Sequence, residues 1–237
     1  MKTIEVTGPK ISFKIPFFGG INVTETVILQ WIVMLIIMGV ILYMTSGLSK
    51  KKPKKKQIIA EMIVKTVNNM VVQNMGKRNI GYAPYIASLF SFIFIGSIIS
   101  LTGLRSMTAD INVTMTLAVI TFLLITIHKF KANGFLGYFK SYTQPVPVMT
   151  PLNIISEIAT PVSLGFRLFG NMGGGMIISM LLIYALSLAS YAIGFTIPVL
   201  TVGIPAILSI YFDLFVSFIQ AYVFVMLTMV YIDSAEE

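Results

Sequence analysis

Residues 26–45 read TVILQWIVMLIIMGVILYMT, and KKKPKKK follows at 50–56. Twenty residues without a charge are enough for a helix to cross about 30 Å of hydrocarbon. The lysines give the crossing a direction, because basic loops stay on the cytoplasmic side. The other flank, Ile11 to Glu25, carries only Lys14 and Glu25. The N-terminus is therefore expected outside and the lysine run inside, as a topology anchor on anionic lipid.

The rest of the chain agrees with a membrane setting. Of 237 residues, 56% are hydrophobic and 11% charged, with a mean hydropathy of +0.88. Soluble domains carry about 25% charged residues, so a water-facing globule of this size is excluded. The net charge of +8 would suggest nucleic acid in a soluble protein. Here lysines clustered in one stretch account for it as topology, and no nucleic-acid partner is expected. With no cysteine and one histidine, disulfides, thiolate sites and histidine clusters drop out. The first 25 residues hold Gly8, Pro9, Pro16, Gly19 and Gly20, without the layout of a cleaved leader or an Arg-rich transit peptide. That points to a bacterial-type chain.

Four further crossings follow. In Gln57–Met75, apolar Ile58, Ile59, Met62, Ile63, Val67, Met70 and Val71 recur at spacings of three and four, between Glu61, Lys65, Asn68 and Asn69. This predicts an amphipathic helix lying at the interface. Pro84–Leu104 runs outward, Arg105 and Asp110 lie in a short external loop, and Asn112–Ile127 returns to His128, Lys129, Lys131 and Lys140. Residues 133–151, with Gly134, Gly137, Pro145, Pro147 and Pro151, read as a loop. Pro161–Tyr191 and Val199–Ile232 would run about 46 and 51 Å as helices, so they must tilt or break. Gly194 and Pro198 mark the hairpin between them.

The expected fold is thus an all-α integral membrane protein. Residues 1–25 form an extracytoplasmic segment and 26–237 a single membrane domain. Its spans are about 26–46, 84–104, 112–128, 161–191 and 199–232, with an interfacial helix at about 57–75. The C-terminus is expected in the cytoplasm, and no internal repeat suggests an inverted-repeat transporter.

Two charges interrupt the last hairpin. Arg167 lies in TPVSLGFRLFGNMGGG and Asp213 in SIYFDLFVSFIQAYVF. A charge at the bilayer centre costs between about 3 and more than 10 kcal/mol. Arg167 either snorkels from a helix end, pairs with Asp213, or does work. Arg167 and Asn171 share a helix face, as do Asp213, Ser217 and Gln220. Gly173, Gly174 and Gly175 remove bulk, allowing close helix approach or a small aqueous gap.

PVSLGFRLFGNM and the terminal IQAYVFVMLTMVYI closely resemble subunit a of the F-type rotary ATP synthase, bacterial type. TADINVTMTLAV at 108–119 and TPLNIISEIA at 150–159 extend the likeness, which runs in order from about residue 57 to the end. The resemblance implies a non-catalytic stator subunit beside a ring of c subunits, held by peripheral-stalk b subunits in the bacterial cell membrane. Two half-channels would serve the ring carboxylates, and Arg167 matches the family's essential arginine. Asn171, Gln220, Glu157, Asp110 and Asn112 match polar positions of the ion path. Asp110 also reads as a helix N-cap and Glu157 as a solvated loop acid.

Two departures stand out. Some family members place a carboxylate nine residues after the arginine, where this chain has Met176, and often histidine where this chain has Asp213. The acid has moved across the helix pair, which makes Asp213 a candidate relay on the external side or an ion-pair partner. Ser100 stands where many relatives carry asparagine. No phosphate loop is present, so no ATP site is expected. No cofactor is implied; the translocated ion is a proton or sodium. The competing readings are a stand-alone secondary transporter, with Arg167 binding an anionic substrate, and a purely structural membrane anchor.

Overall fold

The computed structural model describes residues 11–15, 21–49, 53–102, 104, 106–142, 147–193, 201, 203, 205 and 210–234. Lys50–Lys52, Arg105 and the hairpin at Gly194 and Pro198 lie outside them.

The chain enters through a short ribbon. Strand β1 (Ile11–Ile15) pairs antiparallel with β2 (Ile21–Thr24), Lys14 facing Asn22 in register, with an irregularity between Ile11 and Phe13. No strand was expected here, although Ile11, Phe13 and Ile15 alternate at the strand period. Thr24 ends β2 and directly precedes helix α1 (Glu25–Thr45), whose first turn carries acidic Glu25 at the positive end of the helix dipole. Thr26, Leu29 and Val33 form its buried stripe, whereas Trp31, Leu35 and Leu42 are exposed. Such a surface suits lipid.

Helix α2 (Lys55–Met75) stands where the amphipathic pattern placed it and stops at Gly76, which adopts a left-handed φ of 72°. Its first half leaves Ile58, Ile59, Met62 and Ile63 exposed, while Val71 and Met75 are buried. Helix α3 (Ala83–Ile98) begins with proline in its first turn, where the missing N–H costs nothing. It is followed by α4 (Ile111–Tyr142), α5 (Thr150–Ala192), a π-helical turn (Ile210–Val216) and α6 (Ser217–Asp233). Among the described residues five stretches are long and apolar enough to cross a membrane: Glu25–Thr45, Lys77–Thr102, Ile111–Lys131, Thr150–Ala192 and Asp213–Asp233.

The expected loop at 133–151 is mostly helical. Helix α4 continues to Tyr142, broken at Gly134, which takes a left-handed φ of 69°. Pro147 opens a 3-10 turn, and Pro151 lies in the first turn of α5. Prolines at those positions start helices rather than end them. The start of the fourth span at Pro161 is likewise corrected: α5 begins at Thr150 and carries buried Pro161 in its interior. Its 43 residues run about 65 Å, twice the hydrocarbon thickness and longer than the span of about 46 Å expected from Pro161–Tyr191.

The core gathers Val71 and Met75 of α2, Ile86, Leu89 and Ile93 of α3, Ala118 and Ile125 of α4, Leu164 and Leu168 of α5, and Phe224, Val225 and Met229 of α6. Helix α5 packs chiefly on α4, and α6 on α3. Close approach of α5 to α4 is made at Gly165, where an added Cβ would lie 2.5 Å from Met115 Sδ and 3.4 Å from Met115 Cα. By contrast Gly174 has open space around it, and a Cβ at Gly173 would meet only Phe169 of its own helix, at 3.7 Å. Close packing of α5 on α4 therefore rests on Gly165, not on Gly173 or Gly174. Gly165→Leu should destabilise the subunit by about 1–3 kcal/mol through overpacking. Gly165→Ala should be milder, because the Met115 thioether can move. Thermal unfolding of the detergent-purified complex containing each variant checks this.

Candidate ion-path residues

Asn171 of α5 and Gln220 of α6 are the point where the two polar stripes meet. The Asn171 Nδ2 donates to the Gln220 Oε1. Gln220 is 5% exposed, and its Nε2 is buried without a hydrogen-bond partner among the described residues. Ser217, one turn earlier on α6, is fully buried and donates to Met172 Sδ at 3.9 Å, a weak contact. A buried amide bonded at one end only is costly, so this cross-link is a polar seam in an otherwise apolar contact.

Arg167 lies one turn before Asn171 on the same helix. It is exposed, between exposed Phe166 and buried Leu168, and it makes no ion pair among the described residues. Asp213 is half-buried and also makes no ion pair among them. The buried Arg167–Asp213 pair that the sequence left open is therefore absent from the described residues. Asp213 falls inside the π-helical turn Ile210–Val216. A π-turn inserts an extra residue, so the α-helical spacing that put Asp213 and Gln220 on one face does not hold through it.

Glu157 is no free loop acid. It lies on α5 and pairs with Lys129 of α4, Nζ to Oε1 at 3.2 Å, the two side chains being 12% and 27% exposed. Beside Lys129, His128 Nδ1 lies 2.7 Å from the Tyr82 hydroxyl, and the rings meet edge to face. At the other end of α4, Asp110 is 5% exposed, not solvated as a loop acid would be. Its Oδ1 accepts the backbone N–H of Asn112 at 3.0 Å and the Asn112 Nδ2 at 3.2 Å, the geometry of an N-cap. Its Oδ2 accepts the hydroxyl of Thr26 of α1 at 2.7 Å. Nearby, Ser97, Ser106 and Thr108 form a second buried hydroxyl cluster. The Ser100 hydroxyl is satisfied by the Ser97 carbonyl at 2.8 Å.

The residues thus form three groups: Asp110 with Asn112, Arg167 with Asn171, Gln220 and Asp213 on the α5–α6 pair, and Glu157 with Lys129. Thr26 escaped the sequence reading. Its partner is 84 positions away, and a threonine opening an apolar span carries no signal of its own. Among the described residues no three histidine, aspartate or glutamate side chains gather to hold a metal.

A family model described as ATP synthase A chain matches residues 27–233. Among curated proteins, the chain is 36% identical to "ATP synthase subunit a, sodium ion specific" of Propionigenium modestum, over 97% of this chain and 86% of that one. It is 35% identical to ATP synthase subunit a of a Sulfurihydrogenibium species, over 89% and 97%, and of Aquifex aeolicus, over 84% and 91%. A match over nearly the whole chain, on five apolar helices with Arg167 and an amide seam on the last two, leaves one assignment: the chain belongs to the ATP synthase A chain family.

Proposed function

We propose that the chain is the non-catalytic, ion-translocating stator subunit of a bacterial rotary ATP synthase, standing in the cell membrane with its N-terminus outside and its C-terminus in the cytoplasm. Its partners are a ring of c subunits, the peripheral-stalk b subunits and the rest of the complex. The observation that carries this reading is Arg167: a permanent cation exposed on a membrane-length helix, with no counter-ion among the described residues. Guanidinium does not deprotonate, and a membrane charge needs a partner. A ring carboxylate arriving beside it supplies one.

The mechanism follows from that charge. A ring carboxylate next to Arg167 is favoured in its ionised form, so its ion is released there. A loaded, neutral site gains nothing from the arginine and moves on into lipid. Arg167 thereby also bars direct leakage between two half-channels. The Asn171–Gln220 bond ties α5 to α6 one turn away and fixes the height at which the guanidinium stands. Asp110 and Asn112 flank the external half-channel, with Asp213 as its inner relay on the widened π-turn. The Glu157–Lys129 pair lines the cytoplasmic exit. Each charge crossing 100 mV delivers about 2.3 kcal/mol, so several ions serve one ATP, made elsewhere in the complex. The ion is a monovalent cation, proton or sodium. One relative at 36% identity is named sodium ion specific, which supports sodium. The ion is cargo; no resident cofactor is proposed.

Arg167→Ala should abolish ATP-driven ion pumping by the reconstituted complex while the subunits still co-purify; coupled pumping that survives the change overturns the assignment. Asp213→Asn should slow ion flow several-fold in an assembled complex. Loss of assembly, with normal flow in the remainder, would instead make Asp213 a structural group. For stability, Asn171→Ala should cost about 1–3 kcal/mol, because it strands the buried Oε1 of Gln220. Gln220→Met removes that buried amide at similar shape and should cost less, as thermal unfolding of the two variants will show.

A further inference from the structure

Thr24, Thr26 and Asp110 form one continuous line of hydrogen bonds where α1 meets the start of α4. Thr26 is 1% exposed and Asp110 5%. The Thr26 hydroxyl donates to Asp110 Oδ2 at 2.7 Å, and the Thr24 and Thr26 hydroxyl oxygens lie 2.8 Å apart. A threonine hydroxyl has one proton. Since that of Thr26 goes to Asp110, Thr24 is the donor in the other bond. The line therefore has one direction, from half-buried Thr24 through Thr26 to the carboxylate.

An N-cap needs only the half of this arrangement that Asn112 supplies through its backbone and amide N–H groups. The Thr26 half does something else. It grips the second oxygen of Asp110 from a different helix, so the carboxylate is held from both sides and cannot turn about its own bond. A valine would fill the same volume at position 26 but leave that oxygen without a donor.

We propose that Thr26 is a positioning residue for ion access: its hydroxyl, itself oriented by Thr24, fixes the Asp110 carboxylate and makes the first helix part of the external half-channel. The species drawn to the carboxylate is a monovalent cation, hydronium or sodium. The proposal rests on the placing of Asp110 in that half-channel.

The test uses the whole complex in liposomes, with ATP synthesis driven by an imposed gradient and the external concentration of the driving ion varied. Thr26→Val should raise the external concentration giving half-maximal rate by about ten-fold, the effect of one lost hydrogen bond to a charged group, with the maximal rate largely kept. Thr26→Ser should restore the wild-type value, and Thr24→Val should shift it in the same direction by less. An unmoved half-saturation in both valine variants overturns the proposal. So does an equal fall in maximal rate for Thr26→Val and Thr26→Ser with no such shift. Should Thr26→Val fail to assemble, Thr24→Val and Thr26→Ser decide. Lost pumping in Arg167→Ala with unmoved half-saturation in the valine variants defeats this proposal alone. Retained pumping in Arg167→Ala defeats the stator reading, whatever Thr26 does.

Discussion

A guanidinium that cannot shed its proton has no comfortable place on an apolar surface. Everything about this chain turns on that constraint. Most membrane-embedded charges find a counter-ion within their own fold. Lys129 and Glu157 do so here, between α4 and α5. Among the described residues Arg167 does not, although Asp213 lies on the π-turn that leads into α6. Hydrogen bonding between α5 and α6 is instead given to neutral groups, the amides of Asn171 and Gln220 and the weaker Ser217–Met172 contact. Neutral groups can brace helices without quenching a charge, which leaves the cation available to something outside the chain.

Much of this was legible in the sequence because hydrocarbon thickness is a ruler. Uncharged runs of about twenty residues mark crossings, and the excess length of the fourth span announced an unusual element. Element ends were harder. Pro161 read as a start and Gly134–Pro151 as a loop, because proline and glycine carry local signals that neighbouring packing can override. Buried Leu164 and Leu168 hold α5 in the core just past Pro161, and Gly134 breaks α4 without ending it. Of the site, spacing alone put Asn171 one turn past Arg167, and the meeting of Asn171 with Gln220 agrees with two polar faces turned toward each other. The π-turn around Asp213 was not, since a change of helical period leaves no composition behind. Nor was Thr26, whose significance lies in a contact across 84 positions.

The division of labour among glycines carries the same lesson. Three in a row at 173–175 attract the eye, yet a Cβ at Gly173 or Gly174 would touch no other helix and the close contact of α5 with α4 falls on Gly165, in the stretch SLGFRLFG. A helix needs only one missing side chain to approach a neighbour at one crossing point. Which glycine that is depends on where the helices cross, a property of the pair.

The corner between α1 and α2 has its own consequence. Gln57 spans the turn by bonding both the N–H and the carbonyl of Ser49, at 3.0 and 3.2 Å, and Lys56 Nζ reaches the Tyr43 carbonyl at 3.1 Å and the Ser46 hydroxyl at 2.7 Å. From Met34 onward α1 buries no side chain in the bundle. With only Ile37 and Met44 half-buried there, the distal half of this rod is steadied more by a clasp at its tip than by packing along its length. Neutralising Lys56 would remove one half of that latch and leave Gln57 alone to stop a dozen residues swinging sideways through the lipid.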